Sequence, residues 1–500
     1  MRIAGRIIYG AIAVLVLASA AATASAHART SMQYRIEGRG WGHGIGMSQY
    51  GAEGYAAKLG WNGQQIIEHY FTGTVVAPRP ANGPTSVRVL LQSYLAPARM
   101  QLTSAGTVTQ GSASMPLLAG DVVSMRAQGG QILVTRSRTG VPDATLDGGG
   151  SADPVIVPAV DGGVKTLFTA DLAPRGTAWR GTLSGHVYEG KVSIINTLEF
   201  ESYLRGVVPH EVPASWHQGA LEAQAITARS YALRGIRTSG FYDLYSDTRS
   251  QAYGGMSAEE PSTDKAVADT AGKVARVGGP TGDVAQTFYF STSAGRTAGN
   301  DEVWGSSPYS YLRSVDSPYE QASPYWFWKG DDIQRLTPRQ LGDKLGVNGL
   351  RSATVRVHPS GYVKEVVARG AGGIERIGAT TVQGRLGLRS TFFRLQPLSM
   401  SGPLVVREGA FVTLTGVMPR SGRTSLIVRR GSVSRTVPLT ANAGPGRWRV
   451  RARMSGNLLV SMTRTGIIGP RLFVASTATA QGQKRLRVRF PVVDVTRMFC

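Results

Sequence analysis

Glu211 lies between Pro209 and Pro213 in the stretch LEFESYLRGVVPHEVPASWHQGALEAQAITARSYALRG, residues 198–235. Two prolines stiffen that turn, and Trp216 follows closely. A carboxyl group held there can be pushed up in pKa by desolvation and by a neighbouring ring. A carboxylic acid that keeps its proton near neutral pH is what general-acid cleavage of a glycosidic bond needs. From the residues alone, the commoner reading of such a position is a surface acid near a helix N-terminus. Asp247 is a candidate second acid, and Glu201 reads as structural. The single cysteine, Cys500, is the last residue, so it forms no intramolecular disulfide and supports no Cys-based zinc site. The histidines at 27, 43, 69, 186, 210, 217 and 358 are scattered without ligand spacing. Neither a metal nor a cofactor is expected.

The elements that must position these groups follow from periodicity. After the prolines, Leu221, Ala225, Ala228 and Ala232 fall at i, i+4, i+7 and i+11, a buried stripe on a helix over residues 218–236. Gln224 and Arg229, five apart on that helix, face different directions; Arg229 reads as an ion-pair partner. Upstream, Gly38, Gly40, Gly42, Gly44 and Gly46 alternate, a pattern suited to close approach of backbone to another surface or to a ligand. A short helix is expected over 47–58, ending at Gly60, and a second over 63–70. Alternating runs such as SVRVLLQSYL and KVSIINTLEF predict strands through 86–200, with a loop over 141–161. Residues 336–345 read as a helix. A break at Pro397–Pro403 precedes short alternating strands, which suit a small β-sandwich over 401–500. The expected fold class is α+β: a strand-rich domain over 32–400 with a few helices, and this C-terminal domain.

The N-terminus has Arg2 and Arg6 ahead of an apolar run, then Ala24-Ser25-Ala26. That is the pattern of a secretory signal over 1–26, and it predicts a secreted or envelope-associated protein; an uncleaved anchor is the alternative. Net charge is +23, and residues 401–500 carry +15 of it, seventeen basic residues facing only Glu408 and Asp494. A basic face attracts polyanions. For an exported chain these are anionic envelope polymers rather than nucleic acid; simple solubility is the other reading.

The 198–235 stretch resembles the core motif of the stage II sporulation protein D (SpoIID) family, also called the amidase-enhancer domain. That motif has the form N…E-x-YL-x-GVV-x-x-E-x-P-x-x-W, followed by a helix with AL-x-AQA…AR-x-YA. Here it is filled by Asn196, Glu201, Tyr203-Leu204, Gly206-Val207-Val208, Glu211, Pro213 and Trp216, then Ala220-Leu221, Ala223-Gln224-Ala225, Ala228-Arg229 and Tyr231-Ala232. Asp247, Gln251 and Tyr253-Gly254-Gly255 resemble the family's D…QxYGG. Residues 290–297, FSTSAGRT, resemble its SS-x-G-x-T loop. Residues 42–52, GHGIGMSQYGA, resemble a motif that commonly follows the catalytic stretch; here it precedes it, as in a permuted order. The resemblance covers roughly residues 34–400.

It implies peptidoglycan glycan strands as substrate and lytic transglycosylation as the reaction. Glu211 would act as acid and then base, giving 1,6-anhydro products. It also implies that His43, Ser48, Gln49, Trp216, Gln224, Tyr253, Ser291 and Thr297 bind the glycan, with structural roles for His43 and core packing for the aromatics as alternatives. Some relatives bind zinc near the SS-x-G-x-T loop through His and Cys; this chain has Thr292-Ser293-Ala294 there and no cysteine. The alternative function is a non-catalytic glycan-binding module that stimulates a cell-wall amidase.

Overall fold

The computed structural model describes residues 29–147, 150–167, 177–237 and 239–402, and the strands that lie between 405 and 489; side chains are described for these residues from 32 to 399. The protein is mixed α+β and rich in strands. The helices are α1 (Gln49–Leu59), α2 (Gly63–Tyr70), α3 (Phe200–Glu211), α4 (Gln218–Gly235), α5 (Pro261–Asp269), α6 (Asn300–Trp304), α7 (Pro338–Leu345) and α8 (Ala379–Leu386).

The boundaries have local causes. Ser48 caps α1, its Oγ accepting the Gly51 N–H, and Gly60 ends it in the left-handed region. Asn62 and Gln65 form a capping box on α2. Pro338 sits in the first turn of α7 behind the Thr337 cap. These three helices, and α4, fall where periodicity puts them. Two expectations need correction. The 141–161 segment is not one loop, since Val141–Thr145 and Val155–Pro158 are strands. Glu211 is not on a turn before a helix but is the last residue of one, α3, whose C-terminal turn contains Pro209.

Two sheets build the strand-rich half. A seven-stranded sheet has strands 86–94 and 191–199 near its centre, and a six-stranded sheet contains strands 98–102, 122–128 and 131–138. Their inward residues (Val87, Val89, Met100, Val123, Val134, Ile194) form one apolar cluster with Leu204, Val207 and Val208 of α3 and Leu221, Ala225, Ala228 and Ala232 of α4. The other side of α4 presents Ala220, Ala223 and Ile226 to a second cluster. That cluster holds Ile45 and Met47 of the glycine-rich loop together with residues of α1 and α2. The small residues of α4 thus let it lie between two cores, buried nearly all round.

A third cluster packs Tyr34, Ile36 and Trp328 on α7, α8 and the hairpins of 352–378. Here strand Arg29–Gly38 pairs antiparallel with Phe393–Gly402, from Arg29↔Gly402 to Gly38↔Phe393. The two ends of the 34–400 region are therefore hydrogen-bonded neighbours, the arrangement that a permuted motif order requires. Strand Phe393–Gly402 continues past Pro397 without interruption and also pairs with Phe411–Val417. Beyond it, a six-stranded antiparallel sheet is formed by strands between Val405 and Arg489. Among the described residues no helix is long and apolar enough to cross a membrane. Residues 1–28, with the expected signal, lie outside the described residues.

Candidate active site

Strand Lys191–Glu199 leads straight into α3, and the helix carries Glu211 on its last turn. The carboxyl is half-buried there. One oxygen, Oε1, accepts the Ala252 N–H at 2.9 Å. The Gln49 amide donates to the Glu211 backbone carbonyl at 3.1 Å, and the side chains of Tyr289 and Gln49 also reach the carboxyl. Burial raises the Glu211 pKa above its ordinary value, partly offset by the Ala252 N–H, Tyr289, Gln49 and nearby His210. The C-terminal end of α3 adds the negative pole of a helix dipole, which also disfavours the charged form. The outcome is a carboxyl that keeps its proton to a higher pH than an ordinary glutamate does.

Tyr289 has a fixed orientation. Its hydroxyl oxygen accepts from Gln251 Nε2 at 3.1 Å, and Gln251 Oε1 accepts from the buried Tyr203 hydroxyl at 3.1 Å. With its lone pair occupied, the Tyr289 O–H is left to donate towards Glu211. Sequence reasoning gave no role to Tyr289 or Gln251. The only signal for Tyr289 was its place just before the FSTSAGRT run.

The glycine-rich loop lies beside Glu211. Gly40, Gly42, Gly44 and Gly46 have φ of 77°, 115°, 84° and 78°, a backbone that residues with a Cβ rarely adopt. The loop pairs with the 288–298 segment: Trp41 with Thr292, and Met47–Ser48 in parallel with Tyr289–Phe290. His43 sits inside it. Its Nδ1 accepts the Ile45 N–H at 3.0 Å, so its Nε2 donates to the Tyr289 carbonyl at 3.1 Å. Phe290 and Trp304 flank the ring, and burial drives its pKa down to about 4. His43 is thus a neutral tautomer that ties the loop to the backbone of Tyr289.

The remaining sequence-derived residues divide by environment. Gln49 joins Glu211 directly. Trp216 is half-buried and meets the Tyr50 ring edge-on at 5.0 Å. Ser291 is half-buried, and its carbonyl accepts the Tyr50 N–H at 3.0 Å. Ser48 and Thr297 are fully buried, their hydroxyls engaged with Gly51 and Ser293 and with Val315 respectively. Tyr253 is buried and donates to Asn196 Oδ1 at 2.8 Å. Gln224 is fully buried, and its amide has no hydrogen-bond partner among the described residues. Asp247 lines a pocket of about 670 Å³ with His210, Trp179 and Tyr253. Arg249 pairs with it at 2.7 Å and holds its pKa below the usual range. That pairing favours the charged form of Asp247. Arg229, fully buried, pairs with Glu201 at 2.7 Å and 3.0 Å, as their structural reading expected.

A second carboxyl escaped notice in the sequence. Glu320 is fully buried and accepts from Ser293 N and Ser293 Oγ, both at 2.6 Å, and from Ser317 Oγ. Ser48 Oγ also reaches it, and burial pushes its pKa up to about 7. Ser48 belongs to the glycine-rich motif and Ser293 to the FSTSAGRT loop, so Glu320 fastens one to the other. Gly51 makes room for this: a Cβ there would stand 1.9 Å from the Tyr70 hydroxyl and 2.4 Å from Ser317 Oγ.

The family model described as stage II sporulation protein (SpoIID) matches residues 188–276, which include α3, α4 and Glu211. The chain is 40% identical over 107 residues to the amidase enhancer of Bacillus subtilis, covering 21% of this chain and 14% of that one. It is 31% identical over 203 residues to stage II sporulation protein D of the same organism, covering 37% and 57%. To stage II sporulation protein D of Bacillus amyloliquefaciens it is 27% identical over 244 residues, covering 46% and 66%. The chain therefore spans less than two thirds of the length of these relatives. No solved structure matches it at a significant level.

Proposed function

Because this chain belongs to the stage II sporulation protein D (SpoIID) and amidase-enhancer family, a group with cell-wall roles, we propose that it is an exported peptidoglycan lytic transglycosylase. The observation that carries the reading is the environment of Glu211: a half-buried carboxyl with a raised pKa, held by Ala252, Tyr289 and Gln49 beside the glycine-rich loop. One carboxyl is enough for this chemistry, whereas most glycosidases need two. Protonated Glu211 gives its proton to the glycosidic oxygen as the bond to the anomeric carbon breaks. The resulting carboxylate then takes the proton of the sugar's own 6-hydroxyl. That oxygen closes on the anomeric carbon and leaves a 1,6-anhydro end, with no water consumed. Ala252 N–H and the Tyr289 hydroxyl stabilise the carboxylate between the two proton transfers.

In this reading the signal over 1–26 directs export. The basic strands of 401–500 form a small β-sandwich that holds anionic envelope polymers. Gln49, Trp216 and Ser291 line the approach to Glu211, and His43, Ser48 and Thr297 shape the loops that do so.

A second reading has support from the Bacillus subtilis relative named amidase enhancer: a glycan-holding module that stimulates a cell-wall amidase. Mass spectrometry of stem-peptide-free glycan incubated with purified protein separates the two. Anhydro ends that appear with the wild type and vanish with Glu211→Gln support the transglycosylase. No product from folded wild-type protein, together with faster amidase turnover when it is added, supports the module.

A further inference from the structure

Glu320 is a buried carboxyl that the proposed reaction does not use. Its side chain is fully enclosed, so it meets no substrate. What it meets is two chain segments that each carry a partner of Glu211. Oε2 accepts the Ser293 N–H and Oε1 the Ser293 hydroxyl, both at 2.6 Å. Ser48 Oγ reaches the same carboxyl and accepts the Ser293 N–H at 3.3 Å. A third hydroxyl, that of Ser317, donates to Oε1 and meets the Tyr70 hydroxyl at 2.6 Å.

Each contact leads towards Glu211. Ser48 caps the helix that Gln49 begins, its Oγ accepting the Gly51 N–H at 3.2 Å. Gln49 donates to the Glu211 carbonyl at 3.1 Å, and its side chain reaches the carboxyl. Ser293 lies four residues after Tyr289, whose hydroxyl also reaches the Glu211 carboxyl. Backbone pairing between the two segments is short: Met47–Ser48 beside Tyr289–Phe290, and Trp41 opposite Thr292. Pairing over so few residues leaves slack for side chains to take up. A carboxyl that accepts from both segments removes that slack, and a carboxylate accepts more strongly than a neutral group does.

We infer that Glu320 is a positioning residue for Glu211: by holding Ser48 and Ser293 together, it fixes Gln49 and the Tyr289 hydroxyl against the Glu211 carboxyl. This rests on Glu211 as the reacting group and deepens that reading. Gln49 and Tyr289 both favour the charged form of Glu211. Loosening them leaves the effect of burial less opposed, so Glu211 keeps its proton to a higher pH. A direct charge effect has the opposite sign, because losing a neighbouring carboxylate makes an acid ionise more easily. The other ionisable groups around the two carboxyls drop out of the comparison. Tyr203 and Tyr231 face Glu211, and Tyr55, Tyr70 and Tyr362 face Glu320; all five phenols are raised above their ordinary value and stay neutral through pH 8. His210, beside Glu211, is the same in every variant.

The test uses full-length protein labelled with carbon-13 at its glutamate carboxyls, so that NMR follows the titration of Glu211 without substrate. The spectrum of Glu211→Gln identifies its resonance. Expected is a Glu211 midpoint that rises by about half to one pH unit in Glu320→Gln, the worth of one weakened hydrogen bond. Glu320→Asp keeps an accepting carboxyl and returns the midpoint towards the wild-type value. Ser293→Ala is the milder change; it moves the midpoint the same way and carries the test if Glu320→Gln does not fold. Ser317→Ala removes a donor to Glu320 that belongs to neither segment, so it lowers the melting temperature and leaves the midpoint in place. An unmoved or lowered midpoint in folded Glu320→Gln or Ser293→Ala, or an equal rise in Ser317→Ala, overturns the inference. If wild-type protein yields no anhydro ends while the midpoint moves as expected, the transglycosylase reading falls and the positioning role stands. Anhydro ends that require Glu211, with an unmoved midpoint, have the opposite meaning.

Discussion

Replacing Glu320 by Gln should remove a pH dependence of stability that the wild type carries in its core. Glu320 titrates near 7 in the folded protein against an ordinary 4.5, because burial penalises its charge. The sign follows from that direction. Below pH 4.5 the group is protonated in both states, and its contribution to stability is fully present. As pH rises from 4.5 towards 7 the unfolded chain ionises while the folded group keeps its proton, so stability is lost, and the loss is complete above the folded pKa. A shift of 2.5 units corresponds to about 3 kcal/mol, or several degrees in melting temperature. The phenols that face Glu320 do not contribute in this window. Tyr55 is pushed up to about 12, and Tyr70 and Tyr362 are raised as well. His43, lowered to about 4, has the opposite slope between 4 and 6.5, so the useful quantity is the difference between variant and wild type. At pH 4.5 the variant should be less stable by about 1–2 kcal/mol, since its amide N–H₂ faces hydroxyl and N–H donors. By pH 8 that deficit should vanish or reverse. Thermal melts of both proteins from pH 4.5 to 8 measure it. A melting-temperature difference that stays constant across this range refutes the picture of Glu320 as a buried, proton-holding clamp between the two loops.

Further outcomes follow from the same geometry. Tyr289→Phe removes a donor that lowers the Glu211 pKa, so any glycan-cleaving activity should retain its acid form to higher pH; the alkaline limb of the pH–rate profile is expected to move upwards, and an unmoved limb would show that Tyr289 does not touch the reacting group. Gly51→Ala inserts a methyl against Tyr70, Ser317 and Glu320 and should cost about 1–3 kcal/mol in denaturant unfolding. Arg229→Met leaves Glu201 and the Lys273 carbonyl without their guanidinium; breaking such a pair costs about 3 kcal/mol, readable as a drop in melting temperature. His43 should remain the neutral Nε2–H tautomer from pH 5 to 8, with no titration of its ring resonances in NMR.

Much of this arrangement was written in local sequence. Caps and periodicity fixed α1, α2, α4 and α7, because Ser48, Asn62, Thr337 and the Gly60 stop act within a few residues of themselves. The motif residues marked Glu211 and the glycine-rich loop as belonging together. Their contact was not legible, since Gln49 and Glu211 meet across 162 positions. Tertiary structure also moved Glu211 from a turn to a helix end. Pro209, a helix breaker by propensity, is tolerated in the last turn of α3, which is anchored by burial of Tyr203, Leu204, Val207 and Val208. Glu320 and Tyr289 have no local pattern at all. Their roles arise from neighbours brought in by the packing of distant loops, and a carboxyl's proton affinity or a ring's exposure is a property of those neighbours rather than of its own segment of chain.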